Sequence, residues 1–213
     1  MRAIIPTALA LLVAAGASAA EPATVAHYRV AEGPDVAGEL VLTADGRFAY
    51  ALAAGALDER AEGRWERIAG RPCLTTEPKP VPPVFALGPR GAASAEAPTL
   101  LVTWPNGRGI AGVDFRIGFA TGEPVSGYTQ EYGWTLPRNE HRAPAWIELA
   151  EPIHRTASRR FALSASDRGT IVAVLTPNDM GVVDFRQACI EPREDGAVLH
   201  RAEGEMRLVA LQR

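Results

Sequence analysis

After its first twenty residues the 213-residue chain has no hydrophobic run long enough to cross a bilayer as a helix, which takes about 20 apolar residues. Lysine is nearly absent: of 22 basic residues only Lys79 is a lysine, and the formal net charge is -3. No positive field is expected to draw the chain onto nucleic acid or anionic lipid. Its arginines follow a general excess of Ala, Arg and Gly spread along the chain, and mark no single anion site. The two cysteines, Cys73 and Cys189, belong to no C-x-x-C and have no histidine at ligand spacing, which leaves out the common zinc motifs. No stretch of a dozen residues carries a convincing helical stripe. A G-x-S-x-G elbow is missing as well, and Ser94, Ser126, Ser158, Ser164 and Ser166 do not read as nucleophiles. His27, His141, His154 and His200 show no H-x-x-x-H or H-x-H spacing, and Asp179, Asp184 and Asp195 do not follow a calcium loop. No catalytic residue, metal or cofactor is therefore expected, and the reading leans away from an enzyme.

What is present begins at the amino end. Arg2 supplies a basic start, Ala3 to Ala15 is almost unbroken apolar sequence, and Gly16-Ala17-Ser18-Ala19-Ala20 provides the small residues a signal peptidase accepts. Residues 1–20 read as a secretory signal peptide, with no cysteine after the cleavage point to take a lipid anchor and no stable membrane insertion expected. The expected location is exported, periplasmic or extracellular. There Cys73 and Cys189 are predicted to form a disulfide. Closing so long a loop removes unfolded-chain entropy worth on the order of 4 to 5 kcal/mol. It also requires the early and late parts of the chain to touch.

With 47% hydrophobic and 22% charged residues the chain is ordinary globular material, and its 20 Gly and 17 Pro imply frequent turns. Period-two apolar patterns separated by Gly, Asp and Pro predict an all-β fold. Residues 21–77 read as an antiparallel meander. Gly38 to Leu42 leads through Thr43-Ala44-Asp45-Gly46 into Arg47 to Leu52, and Asp45-Gly46 is a hairpin signal because glycine allows the positive φ of a tight turn. Gly63-Arg64-Trp65 and the strand Pro72 to Thr75 follow, with Trp65 expected in the core. Residues 78–98, carrying Pro78, Pro80, Pro82, Pro83, Pro89 and Pro98, read as a Pro/Ala-rich linker docked through Val84, Phe85 and Leu87. Residues 99–213 read as a β-sandwich region. An alternative lets the late strands 170–211 complete the 25–77 meander into one barrel, with 98–165 inserted. Of the two, a meander or small barrel stapled by the disulfide to a separate sandwich is preferred.

Two resemblances accompany this pattern. The run from Asp45-Gly46-Arg47-Phe48 through Gly63-Arg64-Trp65-Glu66 to a closing strand with Leu74 resembles the lipocalin-like meanders of small envelope proteins. The order Thr99 to Trp104, Pro105-Asn106-Gly107, Gly112-Val113, Thr121-Gly122 and Gly127 to Pro137 is similar to transthyretin-like or carboxypeptidase-regulatory-like sandwiches, with Gln130 where those carry an acidic residue. The second implies a fold more than a function.

One stretch stands out as a candidate contact surface. Tyr128, Tyr132, Trp134 and Trp146 crowd around Arg138, Asn139, His141 and Arg142. Amphipathic aromatics beside Arg donors suit recognition of an envelope protein, a glycan or a small molecule. The leading expectation is thus a non-enzymatic exported binding or scaffolding protein of the cell envelope. An envelope hydrolase with convergent carboxylates, for which Glu123, Glu131, Glu140 and Glu148 lie near aromatics, and a lipocalin-like carrier are the alternatives.

Overall fold

The computed structural model describes residues 23–91, 97–164 and 169–211; the signal peptide expected over 1–20 lies outside them. The chain is all-β. Strands β1 (Thr24–Val30), β2 (Val36–Thr43), β3 (Arg47–Ala54), β4 (Leu57–Ile68) and β5 (Arg71–Thr76) run as an antiparallel meander. The β2–β3 hairpin turns at Gly46, whose φ of 80° and N–H bond to the Thr43 carbonyl (3.1 Å) are the geometry that the Asp-Gly pair predicts.

The chain then leaves the meander. Strands β6 (Val84–Leu87), β7 (Leu100–Thr103), β8 (Asp114–Phe119), β9 (Val125–Tyr128), β10 (Pro144–Glu151), β11 (Thr156–Ala157), β12 (Phe161–Ala162) and β13 (Ile171–Thr176) form two sheets. One has the order β11-β10-β8-β9, with β12 also on β10; the other has the order β6-β13-β7. Their inner faces share a core of Phe85, Leu100, Val102, Phe115, Ile117, Ile147, Leu149, Ile171 and Leu175. This is the predicted sandwich. The proline-rich segment supplies β6 because Pro82, Pro83 and Pro89 flank Val84–Leu87 without interrupting it. Phe85 is buried, whereas Val84 and Leu87 remain exposed.

Strands β14 (Arg186–Arg193), β15 (Gly196–Arg201) and β16 (Gly204–Ala210) return to the meander and close it into an eight-stranded barrel, β1-β16-β15-β14-β5-β4-β3-β2. The strands after Arg186 thus follow the alternative arrangement, and only β13 of the late strands joins the sandwich. The period-two pattern of these strands suits either sheet; pairing of β14 with β5 and of β16 with β1 decides it. Cys73 and Cys189 form the predicted disulfide, 116 residues apart. They face each other in the β5–β14 register, so the bond joins neighbours in one wall and does not staple two sheets across an interface.

Leu40, Leu42, Phe48, Tyr50, Leu52, Leu74, Ile190, Leu199, Met206 and Leu208 point into the barrel, and Phe185 enters from the returning chain to pack against Phe48 and Tyr50. Trp65 is half-buried against this core and donates its indole N–H to the Thr43 carbonyl (2.9 Å). Outside, β4 alternates exposed Asp58, Arg60, Glu62 and Arg64 with inward residues, a polar exterior. No helix among the described residues is long and apolar enough to cross a membrane.

Candidate functional site

The sheet that bears Trp146 presents one face to the sandwich core and one to solvent. Period-two alternation along β8 sends Phe115 and Ile117 inward and Asp114 and Arg116 outward. The ladder sets Arg116 opposite Glu148 on β10 and opposite Ser126 on β9, Asp114 opposite Tyr128, and Gly118 opposite Trp146. A side chain at position 118 has no room, because a β-carbon there would sit 1.8 Å from Trp146 Cε2. Glycine therefore lets the indole lie flat on the sheet.

Arg160 covers the other side of that indole, its guanidinium carbon 3.9 Å from the ring centre, and Arg116 approaches to 5.9 Å. Glu148 holds both cations: Arg160 Nε donates to it at 2.9 Å, and Arg116 Nη1 lies 3.5 Å away. The arginine side chains remain about half exposed, at 54% for Arg160 and 56% for Arg116, so these ion pairs add little to stability and leave guanidinium surface open to a partner. Beside them a shallow depression of about 310 Å³ is lined by Asp114, Arg116, Glu148, Ala150, Ala157 and Ser158. Tyr128 is 60% exposed on the same face, and Tyr132, at the tip of the next turn, is 80% exposed.

The structure gathers some of the sequence-selected residues and separates others. Tyr128 and Trp146 share the outer sheet face, and Tyr132 stands next to it in sequence beyond β9. Trp134 is half-buried against the sandwich core, 4.6 Å from Phe115, and pairs through its backbone with Leu100. Arg142 is committed to its own loop: it donates to the Glu140 carboxylate and to the carbonyls of Thr121 (3.0 Å) and Glu123 (3.2 Å), and stacks over Phe119 at 4.0 Å. Its guanidinium holds the Glu140 carboxyl down at about 2, well below the usual carboxylate range. Arg138 and His141 are exposed on that loop. Arg116, Arg160 and the supporting Glu148 were not chosen as contact residues from the sequence. The signal for Arg116 was its odd position in the Asp-Phe-Arg-Ile-Gly-Phe alternation; Arg160 reaches Trp146 only through the β10–β12 pairing, which no local pattern announces.

A second polar cleft, of about 470 Å³, lies where the sandwich meets the barrel mouth, between Glu59, His154, Arg155, Asp184 and Glu203. Its floor is structural. Arg201, 9% exposed, donates to Glu59 and Tyr50 and so ties β15 to β4 and β3. Burial, then the Glu59 charge, pushes the Tyr50 hydroxyl up from its ordinary value. Glu151 caps the β10–β11 turn, accepting N–H bonds from Ile153 and His154 and contacting the His154 ring at 3.2 Å. The histidines do not gather: His27 pairs with Glu39, His154 with Glu151, and His200 with Glu191 and Glu205. Among the described residues no three His, Cys, Asp or Glu side chains converge as a metal-binding group. Compared with known proteins, the chain matches no family model, no curated protein and no solved structure.

Proposed function

We propose that this is an exported, non-enzymatic binding protein of the cell envelope, periplasmic or extracellular, which meets its partner through the outer face of the β9-β8-β10 sheet. The observation that carries this reading is the exposure of Tyr128 on the sheet face that bears the half-open guanidinium groups of Arg116 and Arg160, with Tyr132 exposed in the turn that follows β9. Rigid aromatic surface bordered by arginine donors is the composition of contact hot spots. Arg138 and His141 are exposed on the loop that leads into β10, and Arg142 on that loop holds the turn before β9. Export is supported by the Cys73–Cys189 disulfide, since such bonds persist in oxidising compartments.

Binding is favoured over carriage because the described side chains, Phe185 among them, fill the barrel where a carried molecule would sit. The test places a photoreactive side chain at position 132 and, as a control, at exposed position 53 on the barrel. In an envelope extract, an adduct is expected from position 132 and none from 53. The same adducts from both positions, or none from either, would remove this surface as the contact site.

A further inference from the structure

The barrel is closed and has no sheet edge, whereas the sandwich sheets end in edges, of which that of β7 is covered. The β7 side is taken by Trp134, which exchanges hydrogen bonds with Leu100, and by Ile110, whose N–H reaches the Val102 carbonyl at 2.8 Å. On the other side of that sheet β6 pairs only with β13, and β11 approaches it without a backbone ladder. Of the edges left open, that of β9 carries an exposed aromatic side chain, Tyr128. Thr129 donates its backbone N–H to the Val113 carbonyl at 2.9 Å, which fixes the phase of the β8–β9 ladder. Thr129, Gly127 and Val125 turn their backbone groups toward β8, so Tyr128 and Ser126 turn theirs to the outside. Among the described residues nothing bonds to these two N–H and two C=O groups.

We infer that the β9 edge captures an extended segment of a partner polypeptide, which adds a strand to the sheet by pairing with the backbone of Ser126 and Tyr128. This deepens the function proposed above and rests on it. The hydrogen-bond row selects the occupant: alternate outward N–H and C=O groups match the backbone of a strand and no other polymer. Tyr128 stands at the edge with 60% exposure, placed to cover the side chains of an incoming strand that carries aromatic or β-branched residues at every second position. The template is held rigid from one end, where Arg142 bonds the carbonyls of Thr121 and Glu123 just ahead of β9. A pre-ordered strand lowers the entropy lost on docking. Edges of this kind are ordinarily blunted by charge or by a covering loop; here Pro124 shortens the strand and the outward residues are a serine and a tyrosine.

The experiment uses the full oxidised chain and a synthetic alternating threonine–valine peptide, with a counterpart N-methylated at every second amide. The first peptide is expected to slow hydrogen exchange at the Ser126 and Tyr128 amides at about 1 mM, the weak end of specific affinity. Methylation is expected to weaken binding by about tenfold or more. Ser126→Pro removes only an outward donor, and is expected to abolish the effect at an unchanged melting temperature. Equal binding of the methylated peptide by the wild-type chain, or no protection of either amide, overturns strand addition whether or not the proline variant folds. So does a dimer of the free protein that Ser126→Pro dissolves, which would assign the edge to a second copy. An adduct from position 132 that survives Ser126→Pro would defeat the inference while leaving the contact surface in place; loss of every adduct from position 132 in the wild type would defeat the surface itself.

Discussion

Two arginines use one device. Arg142 stacks over Phe119 at 4.0 Å while bonding Glu140, and Arg160 stacks over Trp146 at 3.9 Å while bonding Glu148. A planar guanidinium can lie on a ring and donate in its own plane at once, which an ammonium cannot do. In a chain with a single lysine, arginine thus performs work beyond its charge. Glu140 also accepts the backbone N–H of Arg142 at 2.9 Å, so its carboxylate fastens both the backbone and the side chain of one loop. Because Glu140 titrates at about 2 in the folded chain against an ordinary 4.5, its contribution is complete above pH 4.5 and is withdrawn as pH falls through about 2. Replacing it, as Glu140→Gln, is expected to lower stability at neutral pH, with the gap from wild type narrowing below pH 4.5 and closing near pH 2. Urea titrations of both proteins across that range measure it; a gap independent of pH would show that the carboxylate charge is not what holds the loop.

At the scale of elements, the returning chain between β13 and β14 does more than connect. Arg60 on β4 gives its N–H to the Gly181 carbonyl and accepts that of Val183, and Thr76 exchanges bonds with Val183 and Phe185. These contacts carry Phe185, 2% exposed, into the barrel, where its ring centre lies 5.3 Å from Tyr50 and 5.9 Å from Phe48. Truncation to Phe185→Ala is expected to cost about 3 to 5 kcal/mol, the usual penalty for emptying an aromatic site in a packed core. Chemical denaturation reads this directly, and a loss under about 1 kcal/mol would mean that the barrel closes without its plug. No sequence pattern marks Phe185 as that plug, since Val182 to Ile190 scans as one continuous strand while the ladder begins only at Arg186. The elements that were legible carry local signatures: the Asp45-Gly46 hairpin, the alternation of Arg47 to Leu52, and the break of pattern by Pro82 and Pro83. What stayed hidden depends on long-range register. Tyr128 and Trp146 could be picked out as exposed-type aromatics, but Trp134 obeys the same local chemistry and is half-buried because its backbone pairs with Leu100. Arg160 reaches the site through a strand that has only two residues.

The whole molecule is a barrel interrupted within its wall. The chain leaves at the end of β5, builds the sandwich, and must bring β14 back beside β5 before the barrel can close. That step closes a loop of more than a hundred residues, and non-local pairings are the entropically demanding ones in a β fold. Cys73 and Cys189 sit opposite each other on those two strands, at the seam where wall continuity depends on that return. The cross-link keeps the two sides of the seam together in the unfolded chain and so removes about 4 to 5 kcal/mol of closure entropy. For a chain of this size, the double replacement Cys73→Ser with Cys189→Ser is expected to lower the melting temperature by roughly 10 to 20 °C. The native sheet order should be retained, since β5 and β14 keep their backbone ladder. Scanning calorimetry measures the shift, and far-ultraviolet circular dichroism before the transition checks the fold. A melting temperature within about 2 °C of wild type would mean that the β5–β14 ladder and the contacts of the returning chain close the wall unaided. A large drop that chemical reduction of the wild type reproduces would assign the stabilisation to the covalent bond, because reduction leaves both side chains in place apart from that link.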